Sequence, residues 1–180
     1  ADRPESFQED DRPAVLYTGT LNRELGIAEL LSAFTCMPDV QLWLCGTGDM
    51  RPEIEQAAKA NDNIRYFGFV PQKTALWLQS KADALINPRS SQGVFTRYSF
   101  PSKTLEYMRS GKPVLCCKLE GIPDEYDPYL RYIESQNAAG IEAAVRELLG
   151  MSVSERLAVG ERARDFVLRE KNSKAQCKKL

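Results

Sequence analysis

Residues 14–46, AVLYTGTLNRELGIAELLSAFTCMPDVQLWLCG, decide the fold class. Two short apolar runs, AVLYTG (14–19) and VQLWLCG (40–46), bracket the stretch GIAELLSAF (26–34). Within that stretch Ile27, Leu30, Leu31 and Phe34 recur at helical spacing and share one face. The flanking runs are continuously apolar rather than alternating, as strands covered on both faces require. Strand, helix and strand in this order predict a parallel crossover unit of right-handed sense.

Working outward, the unit repeats. RPEIEQAAKA (51–60) predicts a helix with proline near its start and acids in its first turn. IRYFGF (64–69) predicts a third strand. QKTALWLQSK (72–81) predicts a helix with Leu76, Trp77 and Leu78 partly buried. DALINP (83–88) predicts a fourth strand, and residues 89–100 a long loop. A helix over 102–110 and the strand KPVLCC (112–117) follow, then a weaker sixth strand, YLRYIE (129–134). Two helices, 137–150 and 152–171, end the pattern, the second opening on a capping box of Ser152 and Glu155. About five such alternations predict an α/β domain with a doubly wound parallel sheet, Rossmann-like, over 14–171. Residues 1–13 read as a polar tail or linker and 172–180 as a basic C-terminal tail.

Composition excludes several classes. The chain is 43% apolar and 27% charged, with a net charge of −1. That is a globular profile with no general electrostatic grip on nucleic acid or anionic lipid. There is no histidine, so a Ser-His-Asp triad, a Cys-His pair and a His-ligated metal have no residues to build them. Five cysteines without a CxxC spacing fit a reducing, cytoplasmic setting rather than a disulfide or zinc framework. Cys45, Cys116 and Cys117 sit in apolar runs, where a thiol acts as a small hydrophobe. No apolar run reaches about 18 residues, so no membrane span is expected.

Parallel sheets of this kind bind ligands at the carboxyl ends of their strands. Gly19 and Gly26 flank the first strand-to-helix turn, and Gly46 and Gly48 follow the second strand; each pair permits close backbone approach to a ligand or simply serves the turn. Gly68 turns the chain after the third strand, where a flat base could stack or hydrogen-bond against the backbone of Phe69 and Val70. The densest cluster is FPSKTLEYM, 100–108. There Ser102, Lys103 and Thr104 open a helix whose free N–H groups, dipole and lysine favour an anion. Glu106, one turn on, carries an acceptor-only carboxylate suited to both hydroxyls of a ribose. The alternative is a surface contact of Glu106 with Arg109 or Ser110.

This arrangement resembles the C-terminal, donor-binding domain of GT-B-fold retaining glycosyltransferases, group 1 (family 4). The resemblance spans about Ala14 to Lys171 and rests on VLYTGTLNRELGIAELLSAF, QLWLCGTGD, NIRYFGFVPQ, ADALINP and FPSKTLEYMRSGKPVL, in that order. It implies one half of a GT-B fold. It also implies a nucleotide-diphosphate sugar as substrate, and neither cofactor nor metal. Glu106 matches the second acid of the family's E-x7-E motif and would take the ribose. Gly19, Thr20, Arg23, Ser102, Lys103 and Thr104 would face the diphosphate, and Phe69 and Val70 the base. Tyr98, Ser99 and Phe100 would face the donor sugar. The chain departs from the family where Tyr98 replaces the first acid, and where Thr20 and Leu25 replace a phosphate-binding arginine and lysine. Lys103 is the expected substitute cation, with Arg23 and Arg89 weaker.

The activity implied is transfer of a sugar to a glycan or lipid-linked acceptor in surface polysaccharide biosynthesis. The acceptor would be held by an N-terminal half outside this chain, at the inner face of the membrane in the full-length protein. Two other readings stand beside it: another GT-B enzyme such as a nucleotide-sugar epimerase, and a non-enzymatic flavodoxin-like binding module.

Overall fold

The computed structural model describes residues 3–89 and 102–171. Among the described residues six parallel strands form one sheet in the order β3-β2-β1-β4-β5-β6. They are β1 (Ala14–Thr18), β2 (Gln41–Cys45), β3 (Ile64–Tyr66), β4 (Ala84–Asn87), β5 (Val114–Cys116) and β6 (Arg131–Tyr132). The helices are α1 (Ile27–Thr35), α2 (Arg51–Ala60), α3 (Gln72–Lys81), α4 (Ser102–Arg109), α5 (Ala138–Gly150) and α6 (Val153–Glu170). α1 packs on α5, and α4 on α6. Every residue of β1, β2, β4 and β5 is buried, which is why these strands read as unbroken apolar runs. Leu16, Leu42, Leu44 and Leu85 are fully enclosed, each side chain contributing about 1.5–3 kcal/mol of burial.

The doubly wound parallel architecture agrees with the sequence, with local differences. The third strand stops at Tyr66 rather than at residue 69. Gly68 then turns the chain at φ 69°, and Phe67 lays its ring 6.2 Å from that of Trp43. α1 starts one residue later than expected, after a 3-10 turn at Arg23–Leu25. A second 3-10 segment, Asp124–Tyr129, was not expected and takes in Tyr129, the first residue of the expected sixth strand, and β6 shrinks to two residues behind it. On α3 the buried pair is Leu78 and Gln79, while Leu76 is exposed. The apolar residues of 76–78 wrap around the helix: Leu78 enters the core, Trp77 is half-buried against Phe7, and Gln79 beside them reaches α4. Ser152 and Glu155 form the expected capping box.

Cys45, Cys116 and Cys117 are buried. Desolvation pushes the Cys45 thiol up to about 12 and that of Cys117 to about 11, so both stay protonated core groups. The segment before β1 is packed onto the domain. Phe7 sets its ring edge-on to Trp43 at 5.2 Å and to Trp77 at 4.8 Å, and Asp10 lies between Arg12 at 2.6 Å and Arg65 at 3.0 Å.

The Arg12 guanidinium holds the Asp10 carboxyl at about 2, below its ordinary 3.8. A carboxylate lowered on folding stabilises the fold above its unfolded value and loses that contribution as pH falls through its folded value. Asp10→Asn is therefore expected to cost on the order of 1 kcal/mol near pH 6, screening having reduced the pair's strength. The gap between variant and wild type should close as pH drops from about 4 to about 2, measured as denaturation midpoints across that range. A gap that does not vary with pH would contradict the assignment.

Candidate functional site

The strand order changes direction between β1 and its neighbour β4, the place where doubly wound sheets open a crevice. On the β1 side the first three loops are knitted into one mat. Gly19 N–H donates to Cys45 O at 2.9 Å, Leu21 N–H to Thr47 O at 3.0 Å, and Gly46 N–H to Gly68 O at 2.8 Å. The Tyr66 hydroxyl donates to Gly46 O at 2.9 Å. The backbones approach so closely that a Cβ on Gly46 would stand 1.8 Å from Gly19 O. Tyr17 adds a hydroxyl that donates to Thr20 O at 2.7 Å. Burial pushes this phenol up to about 12, opposed by the charge of Arg89, two residues past β4.

α4 is pinned to this mat by Tyr107, which is fully buried. Its hydroxyl accepts from Thr18 N–H at 2.7 Å and donates to Thr18 O at 3.1 Å. The residue that stops β1 is thus the residue that holds α4. One turn earlier, Lys103 reaches over the first loop: a Cβ on Gly19 would lie 3.4 Å from Lys103 Cε and 3.6 Å from its Nζ. The ammonium sits 5.8 Å above the Tyr107 ring and 3.5 Å from Glu106 Oε2. Glu106 Oε1 accepts from Gln79 Nε2 at 3.2 Å. Between α3 and α4 runs a groove of about 510 Å³, lined by Leu76, Gln79, Ser102, Leu105, Glu106 and Arg109.

Of the residues expected at the site, the structure brings Gly19, Ser102, Lys103 and Glu106 to one sheet edge. Ser102 is the first residue of α4 and exposed. Glu106 is half exposed, at 50% of its side chain, and its partners among the described residues are Lys103 and Gln79 rather than Arg109 or Ser110. Thr20 is exposed on the first loop. Thr104 is fully buried, its hydroxyl 3.4 Å from Asn87 Nδ2, so only its backbone belongs to the helix start. Arg23 turns to Glu53 on α2 at 3.0 Å, because the 3-10 turn sets it over that helix. Phe69 is 83% exposed after β3 and Val70 half-buried beside it. Tyr98, Ser99 and Phe100 lie outside the described residues, as do 172–180.

Three residues of the site were not foreseen. Tyr17 and Tyr107 are two of them, and their hydroxyl partners reveal that they fasten loop and helix. Gln79, buried in the last turn of α3, is the third.

Among curated proteins none is matched by sequence. Among solved structures, sucrose-phosphate synthase from Thermosynechococcus elongatus superposes with a TM-score of 0.76 at 22% identity, over 94% of this chain and 45% of that one. HepE from Anabaena, in complex with UDP, gives 0.72 at 16% identity, over 94% and 50%. The C-terminal domain of a glycosyl transferase group 1 family protein from Francisella tularensis gives 0.69 at 18%, over 90% and 87%. The chain spans about half the length of the first two. At these identities the likeness is one of fold, that of the Rossmann-like domains of GT-B enzymes. The family model described as glycosyl transferases group 1 matches residues 12–151. With that match covering most of the chain, on a parallel sheet of the matching order, this chain belongs to the group 1 glycosyl transferases.

Proposed function

We propose that this chain is the donor-binding half of a retaining glycosyltransferase. The donor is a nucleotide-diphosphate sugar, and the acceptor a glycan or lipid-linked sugar held by an N-terminal half. The setting is surface polysaccharide assembly in the cytoplasm. The observation that carries the reading is Lys103 Nζ lying beside Gly19 while Glu106 sits one turn further along the same helix. A diphosphate at the start of α4 meets free N–H groups, the positive helix end and an ammonium together. A ribose one turn away meets the carboxylate of Glu106. Held in this way, the charge that builds on the leaving diphosphate is neutralised by protein groups without a metal. HepE, of similar fold, is known in complex with UDP and with UDP-glucose, which supports a nucleotide-sugar donor here.

Calorimetry of the folded chain with UDP, GDP and ADP tests this. Binding of one of them is expected, and Glu106→Ala should weaken it about tenfold to a hundredfold, since hydrogen bonds to a charged group contribute about 1.5–3 kcal/mol. A 2′,3′-dideoxy counterpart should bind both proteins equally. A well-folded chain that takes none of the three diphosphates would favour a non-enzymatic binding module.

A further inference from the structure

We propose that Gln79 is a positioning residue of the donor site, acting through Glu106 to set its carboxylate for two neighbouring ribose hydroxyls. The proposal rests on the nucleotide-donor reading above. Gln79 is 2% exposed, in the last turn of α3. Its Nε2 donates to Glu106 Oε1 at 3.2 Å across the groove between α3 and α4. Its Oε1 is buried without a hydrogen-bond partner among the described residues.

This is an unfavourable use of a buried amide. An amide oxygen withdrawn from water without a partner destabilises the fold, and native proteins keep few of them. Reversing the amide gives no relief, because its oxygen would then face a carboxylate, acceptor against acceptor. A methionine or leucine would fill the same space at no such cost. What the glutamine adds is one directional bond to a carboxylate on another helix. Glu106 is half exposed, where a charged contact contributes little to stability.

The effect on Glu106 is geometric. Gln79 holds one oxygen, and the Lys103 ammonium stands 3.5 Å from the other. An ionised carboxylate offers about four lone-pair positions, and these two contacts leave others open. A pair of adjacent hydroxyls needs both oxygens fixed in a single plane. A glutamate that is free to rotate would have to be ordered by the ligand, at a loss in affinity. Anchored by Gln79, it is set before the ligand arrives.

The test uses the full chain and whichever of UDP, GDP and ADP binds it, together with the 2′-deoxy form of that diphosphate. Gln79→Met is expected to weaken diphosphate binding roughly tenfold while changing that of the 2′-deoxy form by less than about twofold, because one of the two paired hydroxyls is then absent. In the Glu106→Ala background the same change should add less than about twofold. The melting temperature of Gln79→Met should stay level or rise, since the unpartnered oxygen is gone. Gln79→Leu supplies the same readings if methionine is not accommodated. Equal weakening with and without Glu106, or a fall in melting temperature with affinity intact, overturns the positioning role alone. A wild-type chain that binds no nucleoside diphosphate overturns the donor reading and this role with it.

Discussion

Gly46→Ala is expected to destabilise the domain by about 4 kcal/mol or more, enough to unfold much of it at ordinary temperature. Two causes act together. Gly46 adopts φ +134°, a region L side chains rarely enter. Its new Cβ would stand 1.8 Å from Gly19 O and 2.9 Å from Gly19 C, and these are backbone atoms held by the Gly19-to-Cys45 hydrogen bond. Relief would require separating the β1 and β2 loops. Gly68→Ala provides the contrast: its φ of +69° is also unfavourable, but a Cβ there meets nothing within 4 Å. That variant should lose only about 1–2 kcal/mol. Urea denaturation of both separates collision from strain, and equal losses would show that the close approach is not what Gly46 supplies.

Lys103→Ala is expected to weaken nucleoside diphosphate binding about thirtyfold and to leave the matching nucleoside unchanged. The lysine lies over the first loop beside Gly19, and under the proposed function it stands in for the cations that the resemblance would place at Thr20 and Leu25. A charge-assisted contact to phosphate contributes about 2 kcal/mol, which is that factor in affinity. The fold should tolerate the change, because the pair with Glu106 is partly exposed and such pairs contribute little to stability. The deficit should shrink as salt is added, since part of it is a partly screened charge. Calorimetry with diphosphate and nucleoside side by side checks it, and equal losses for the two would remove Lys103 from the diphosphate subsite.

Most of the sheet is legible because its strands are buried on both faces. AVLYT, QLWLC and ALIN are short, unbroken apolar runs that suit strands inside a covered sheet, and each lies within a residue or two of where the pattern puts it. The legibility fails at the edges. IRYFGF has a strand's composition, but β3 has a neighbour on one side only and gives up Phe67 to the aromatic cluster around Phe7. Asp124–Tyr129 has no apolar period to betray a 3-10 turn. At the site, the nearness of Lys103 to Gly19 follows from topology, which sets α4 over the end of β1. Arg23 and Gln79 could not be placed in this way. Whether a surface arginine faces a ligand or Glu53 is settled by a loop's exact turn. That a glutamine is buried depends on which face of α3 meets the sheet.

The pairing of β1 with β4 has a consequence for how the molecule acquires its crevice. The backbone N–H of Ala14 reaches the Asp83 carboxylate, 69 residues along the chain, and Val15 aligns with Ala84. By comparison, β1 meets β2 after a single helix, with Ala14 opposite Gln41. Long loops close late and slowly, because their entropy is lost before any contact compensates. The N-terminal portion, β1 through β3, can condense from local contacts, yet it carries neither Lys103 nor Glu106. The pocket therefore comes into being only when the two distant portions of the polypeptide join, and under the proposed function nucleotide affinity doubles as a report on complete folding.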